Sequence, residues 1–74
     1  MISKIIKDCL KKNFPKEKIK DIEKLAIGSF KNWDSLAHLN LLMSIEKKLK
    51  IKFTIDEMTS LKKINQIIKV IKKK

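Results

Sequence analysis

The sequence predicts an all-α fold: a small bundle of three long helices plus one or two short helices, with a long loop between helices one and two. Three observations predict it. Apolar residues recur at helical spacing over residues 2–12, 35–49 and 61–72. Only one stretch, Ile51 to Ile55, alternates like a strand, and a lone strand has nothing to pair with. The single proline, Pro15, and the single glycine, Gly28, fall outside the periodic stretches.

The first helix is ISKIIKDCLKK, residues 2–12. Ile2, Ile5, Ile6, Cys9 and Leu10 share a face, with lysines between them. Asn13, Phe14 and Pro15 end it, because proline lacks a backbone donor and disfavours helix in the residue before it. Residues 16–33 read as a long connection with one turn of helix around 19–25. A loop of this length in so small a chain is functional or is pinned by its own side chains. Ile22, Leu25, Ile27, Phe30 and Trp33 are available to pin it.

Residues 35–49 give the clearest helix. Leu36, Leu39, Leu42, Met43 and Leu49 are read as its inward stripe, widened by Leu41 and Ile45, with His38 and Ser44 on the solvent side. Asp34 stands where a short acidic side chain caps a helix, and Lys47, Lys48 and Lys50 stand at the C-terminal end, where positive charge is favourable. Residues 51–55 are read as an extended linker whose Ile51, Phe53 and Ile55 plug the bundle. One short turn is expected at Asp56–Met58. Ser60 is read as the cap of a last helix, 61–72, with Leu61, Ile64, Ile67, Ile68 and Ile71 inward.

The chain has 74 residues, the size of one domain, 1–74. A chain this short buries roughly 60–65% of the surface its unfolded form exposes. That suffices for one small core and not for a deep substrate cavity. The net charge is +11, and all 19 basic residues are lysine. Such a balance raises nucleic-acid or anionic-surface binding as one reading of the function. Specific nucleic-acid recognition is not expected: there is no arginine for bidentate contacts, no aromatic-rich strand for base stacking, and no clustering of lysines on one helix. One cysteine, Cys9, allows no internal disulfide and is expected buried. One histidine excludes a multi-histidine metal site. No apolar run approaches a membrane span and no leader is evident. A monomeric cytoplasmic protein without a membrane partner is the expectation.

The stretch NWDSL opens the central helix with an exposed-looking serine, Ser35. As a nucleophile it would need a base and an oxyanion site. Its nearest base is His38, one helical turn on, and nothing orients that ring or supplies a glycine-rich oxyanion loop. The chain is therefore not read as an enzyme. A helix N-terminus, in contrast, suits a phosphate ester: it offers unpaired N–H groups and partial positive charge.

Asp34-Ser35-Leu36, opening an apolar helix after a long loop, resembles the modification site of acyl and peptidyl carrier proteins. The run WDSLAHLNLLMSIEKKLKIKF is similar to a branch of free-standing carriers with tryptophan before the DSL triplet. The resemblance is strongest over residues 28–55 and weak over 14–27. It implies a carrier-protein-like bundle in which Ser35 receives 4′-phosphopantetheine from coenzyme A, through a Mg2+-dependent phosphopantetheinyl transferase. The terminal thiol of that arm would hold an acyl or aminoacyl group as a thioester. Loading and acyl-transferring enzymes would be the other partners, and no intrinsic metal is implied. Asp34 would serve transferase recognition. Leu36, Leu39, Met43, Trp33 and His38 would contact partners, each with a plainer role beside it: core or core edge for the first three, a loop plug for Trp33, a solvated surface residue or a contact to the prosthetic phosphate for His38. Lys31 is either solvated or a contact to that phosphate or to the coenzyme A nucleotide.

The chain departs from the housekeeping carriers of fatty-acid synthesis, which are acidic along this helix. From Asp34 to Lys50 it has two acids against three lysines. A specialised pathway of lipid or secondary-metabolite biosynthesis fits that balance better. The segment between Phe53 and Leu61 is also short for the family's third helix, which favours small cargo or cargo left outside the bundle.

Overall fold

A computed structural model describes residues 2–74. Helix α1 spans Ile2–Asn13, α2 Ser35–Leu49, α3 Ile55–Ser60 and α4 Ile64–Lys73, with a 3-10 turn at Ile22–Lys24. Among the described residues this is an all-helical arrangement of three long helices and one short one. A long loop joins α1 to α2.

Local chemistry accounts for each boundary. At the end of α1 the Asn13 side chain turns back to donate to the Cys9 carbonyl at 2.8 Å, and also reaches the Ser44 hydroxyl at 3.3 Å. The helix stops before Pro15, as expected. Helix α2 ends at Lys50, which adopts the left-handed conformation (φ 56°) and donates its N–H to the Glu46 carbonyl. The Glu46 carboxylate then accepts the Phe53 N–H at 2.7 Å, which fixes the linker.

Both ends of α3 and the start of α4 differ from the sequence reading. Helix α3 begins at Ile55, because Thr54 caps it: the Thr54 hydroxyl accepts the Glu57 N–H at 3.0 Å and the Glu57 carboxylate accepts the Thr54 N–H at 2.8 Å. Ser60 is the last residue of α3 and not the cap of α4, and its hydroxyl bonds back to the Asp56 carbonyl. Helix α4 starts at Ile64, since residues 61–63 are held extended. Ala26 and Lys63 form an isolated antiparallel bridge, with Ile27 N–H donating to the Lys62 carbonyl at 2.9 Å and Ile64 N–H to the Leu25 carbonyl at 3.0 Å. Three residues of the long loop are thereby stitched to the α3–α4 connection.

Helix α1 packs on α2 and on α4, and the 3-10 turn packs on α4. Ile6, Cys9 and Leu10 of α1 meet Leu41, Leu42 and Ile45 of α2 and Ile64, Ile67, Ile68 and Ile71 of α4 in one core. Phe14, Ile19, Trp33, Phe53 and Leu61 complete it from the connections. The thiol of Cys9 is buried, as the sequence predicts. Ile55 does not plug the bundle: it is 80% exposed at the start of α3, because the Thr54 cap turns it to solvent. No helix among the described residues is long and apolar enough to cross a membrane.

Candidate functional site

The site is built around the start of α2. Asp34 is extended (φ −97°, ψ −170°), and its carboxylate accepts the Ala37 N–H at 2.9 Å. This is the N-cap role expected of it. Ser35 is the first residue of the helix and is exposed. The first-turn N–H groups have no carbonyl one turn earlier to bond to, so the helix start carries partial positive charge beside the serine.

The loop that delivers Ser35 is rigidly held. Gly28, at φ 91°, occupies backbone space that side-chain-bearing residues rarely adopt. Its N–H donates to the Trp33 carbonyl at 3.0 Å, and Trp33 N–H donates to the Phe30 carbonyl at 3.0 Å. The Trp33 ring lies 5.2 Å from Phe14 and 5.5 Å from Phe30, centroid to centroid. Two residues before the serine, the chain is thus anchored in an aromatic cluster.

Trp33 and His38 are placed differently from the expectation that they contact partners. Trp33 is 1% exposed and His38 is 4% exposed. The Trp33 indole N–H donates to His38 Nδ1 at 3.0 Å, and His38 Nε2 pairs with the Leu61 carbonyl. His38 is therefore neither a solvated surface residue nor a contact to an external phosphate. Its ring is a cross-brace between the loop, α2 and the α3–α4 connection. Both nitrogens have partners, so neither is left to take a proton from Ser35.

The inward face of α2 is correspondingly rotated. His38, Leu41, Leu42 and Ile45 are its buried residues. Leu36 is 68% exposed, Leu39 39% and Met43 51%. The plainer reading of these three as core or core edge fails for Leu36 and Met43, because the Trp33–His38–Leu61 brace turns the opposite face inward, and holds for Leu39 as an edge residue of the groove. Lys31 is exposed.

An open groove of about 330 Å³ lies beside Ser35, lined by Ile27, Ser35, His38, Leu39, Met58, Thr59 and Lys62. The short α3 and the pinned loop form its walls opposite α2. The groove is more apolar than polar and holds one cation, Lys62. Among the described residues no group of three or more His, Cys, Asp or Glu is placed to hold a metal.

Sequence reasoning missed two features. The Trp33–His38–Leu61 brace had a signal, since His38, Leu41, Leu42 and Ile45 are themselves at i, i+3, i+4, i+7 spacing. The Thr54–Glu57 capping box is the S/T-x-x-E pattern ahead of a helix. Comparisons of this chain with protein-family models, with curated proteins and with solved structures return no match.

Proposed function

We propose that this chain is an acyl carrier of a specialised pathway, modified at Ser35 with 4′-phosphopantetheine from coenzyme A. The observation that carries the reading is the setting of Ser35: an exposed hydroxyl at the first position of a capped helix, on a loop anchored by a buried aromatic cluster. A carrier needs such a residue, reachable by a modifying enzyme yet fixed to a rigid body.

The residues at this position fit the group. The helix start favours the negative charge of a phosphodiester at Ser35. When bound, the group supplies a terminal thiol that carries an acyl or aminoacyl cargo as a thioester. The chain's own residues do the rest. Asp34 holds the first turn closed and offers its second carboxylate oxygen to a transferase. Leu36, Leu39 and Met43 present apolar surface beside the serine for loading and transferring enzymes. Trp33 and His38 act from inside, by holding the serine's backbone in place. The buried His38 closes the inner side of the groove, with Trp33 bonded behind it. Cargo is therefore left outside the bundle, which favours small acyl or aminoacyl groups.

The test is intact mass. A broad-range phosphopantetheinyl transferase, coenzyme A and Mg2+ should add one group of roughly 340 Da by esterification of a serine. Ser35→Ala, at an exposed position, should fold as the parent does and gain no mass. A wild-type chain that stays unmodified, or a Ser35→Ala chain that still gains the group, overturns the reading.

A further inference from the structure

The carrier reading leaves open what kind of surface the partners present, and the structure speaks to that. Leu36, Leu39 and Met43 form an apolar row one turn apart on α2, with Leu36 and Met43 more than half exposed and Leu39 partly covered at the edge of the groove. Two surface depressions flank the row. One, beside Met43, is bordered by Glu46, Lys47, Lys50, Ile51 and Lys52. The other, beside Leu39, holds Lys62. Four lysines thus rim the row.

The carboxylates nearby are committed elsewhere. Asp34 accepts the Ala37 N–H and Glu46 accepts the Phe53 N–H. Neither forms an ion pair with a rim lysine; the one salt bridge among the described residues is Lys74 to Glu57, at 3.0 Å. The four rim lysines are exposed, and with Glu46 counted among them the rim keeps a net positive charge around an apolar centre. A basic partner would meet like charge on both sides of the row, and an acidic one would be steered to it.

We infer that the Leu36–Leu39–Met43 face docks a partner whose contact surface is apolar at its centre and acidic at its edge. The inference rests on the carrier reading for the partner's role. The sign of the partner's charge rests on the rim alone. The apolar row supplies the contact area, and the lysines supply rate and orientation, since exposed rim charges act mainly on association.

The probes are two designed amphipathic helical peptides with the same leucine pattern, one carrying glutamate at every polar position and one lysine. Each is titrated into the unmodified, 15N-labelled full chain, so this result is separate from the Ser35 mass shift. The acidic peptide should move the amide signals of residues 36–50 and of Lys62, and the basic one should not. Raising the salt from about 0.05 to about 0.5 M should weaken the acidic complex about tenfold or more. Lys47→Glu/Lys50→Glu/Lys62→Glu should weaken it by a similar factor. Lys4→Glu/Lys7→Glu/Lys11→Glu makes the same change of net charge on the exposed face of α1 and should leave binding within about twofold. The inference is overturned if the acidic peptide does not bind, if its shifts map to α1 or α4, if the basic peptide binds as well, or if the two triple variants weaken binding equally.

Discussion

Two hydrogen bonds set the state of a single imidazole, His38. The Trp33 indole can only donate, so His38 Nδ1 is the acceptor and carries no proton. Nε2 then bears the hydrogen and donates to the Leu61 carbonyl. This tautomer follows from the partners and is directly observable in the 15N shifts of the ring. The brace joins residues 5 and 23 positions apart in the chain. Replacing it by an apolar group of similar size strands a buried indole N–H and a buried carbonyl. His38→Leu should therefore cost about 2–4 kcal/mol, more than its better hydrophobicity returns. Urea unfolding followed through Trp33, the only tryptophan, measures it. A loss below about 0.5 kcal/mol would mean that the brace is ornamental.

At the scale of elements, α3 is the most dependent on its ends. Six residues are too few to hold a helix by propagation alone. Reciprocal bonds between Thr54 and Glu57 supply what the length does not. The Glu57 carboxyl is held below its ordinary value of 4.5, first because it accepts the Thr54 backbone N–H and then because Lys74 donates to it. A lowered carboxyl contributes stability that is present above that ordinary value and lost as pH falls through the folded one. Acidification below about 4.5 should therefore loosen α3, six residues with no buried side chain, before α2, fifteen residues long and packed into the core. Amide exchange at residues 56–60 reads this locally. Thr54→Ala should weaken α3 by about 1 kcal/mol at neutral pH and leave most of the acid response, because the N–H that chiefly lowers Glu57 is backbone; Glu57→Gln should flatten it. Equal loss of protection in α2 and α3 would contradict it. Because α3 walls the groove beside Ser35, this loosening widens the site and leaves the serine's own helix intact.

For the whole molecule, cohesion comes from one apolar core and not from charge. A chain of net charge +11 has one ion pair among its described residues. No buried side-chain nitrogen or oxygen among them lacks a partner. Cys9 reports on that core. Burial pushes its thiol above the ordinary value of 9.0; Lys48 pulls it back, Asp8 adds to the rise and Lys12 lowers it. The folded state thus favours the protonated thiol. Its stabilising contribution is full below the ordinary value and is lost as pH rises through the raised one. Stability should fall between pH 7 and about pH 10 more steeply in the parent than in Cys9→Ala, which lacks the titrating group. Cys9→Ala starts lower at pH 7, because a buried side chain is shortened. Urea midpoints of both proteins at the two pH values give the comparison, and parallel slopes would refute it.

Periodicity determined the three long helices, the inward residues of α1 and α4 and the burial of Cys9, and residue type determined the Asp34 cap. Each depends on neighbours within one or two turns, which the order of residues states directly. The span of α2, Ser35 to Leu49, was legible for the same reason. Which side of α2 faces inward was legible only in part: Leu41, Leu42 and Ile45 are buried as read, and Leu36, Leu39 and Met43 are not. Apolar residues lie on both sides of its first three turns, so two stripes compete and helical spacing cannot choose. Tertiary structure chose, through bonds from Trp33 and Leu61 to His38, and so put Leu36, Leu39 and Met43 outside. The start of α4 was settled likewise by the bridge between Ala26 and Lys63. Ser35 stands at the meeting of both kinds of information. Its place at a helix start is local and readable, whereas the walls, the anchor and the exposed apolar row around it come from residues distant in the chain.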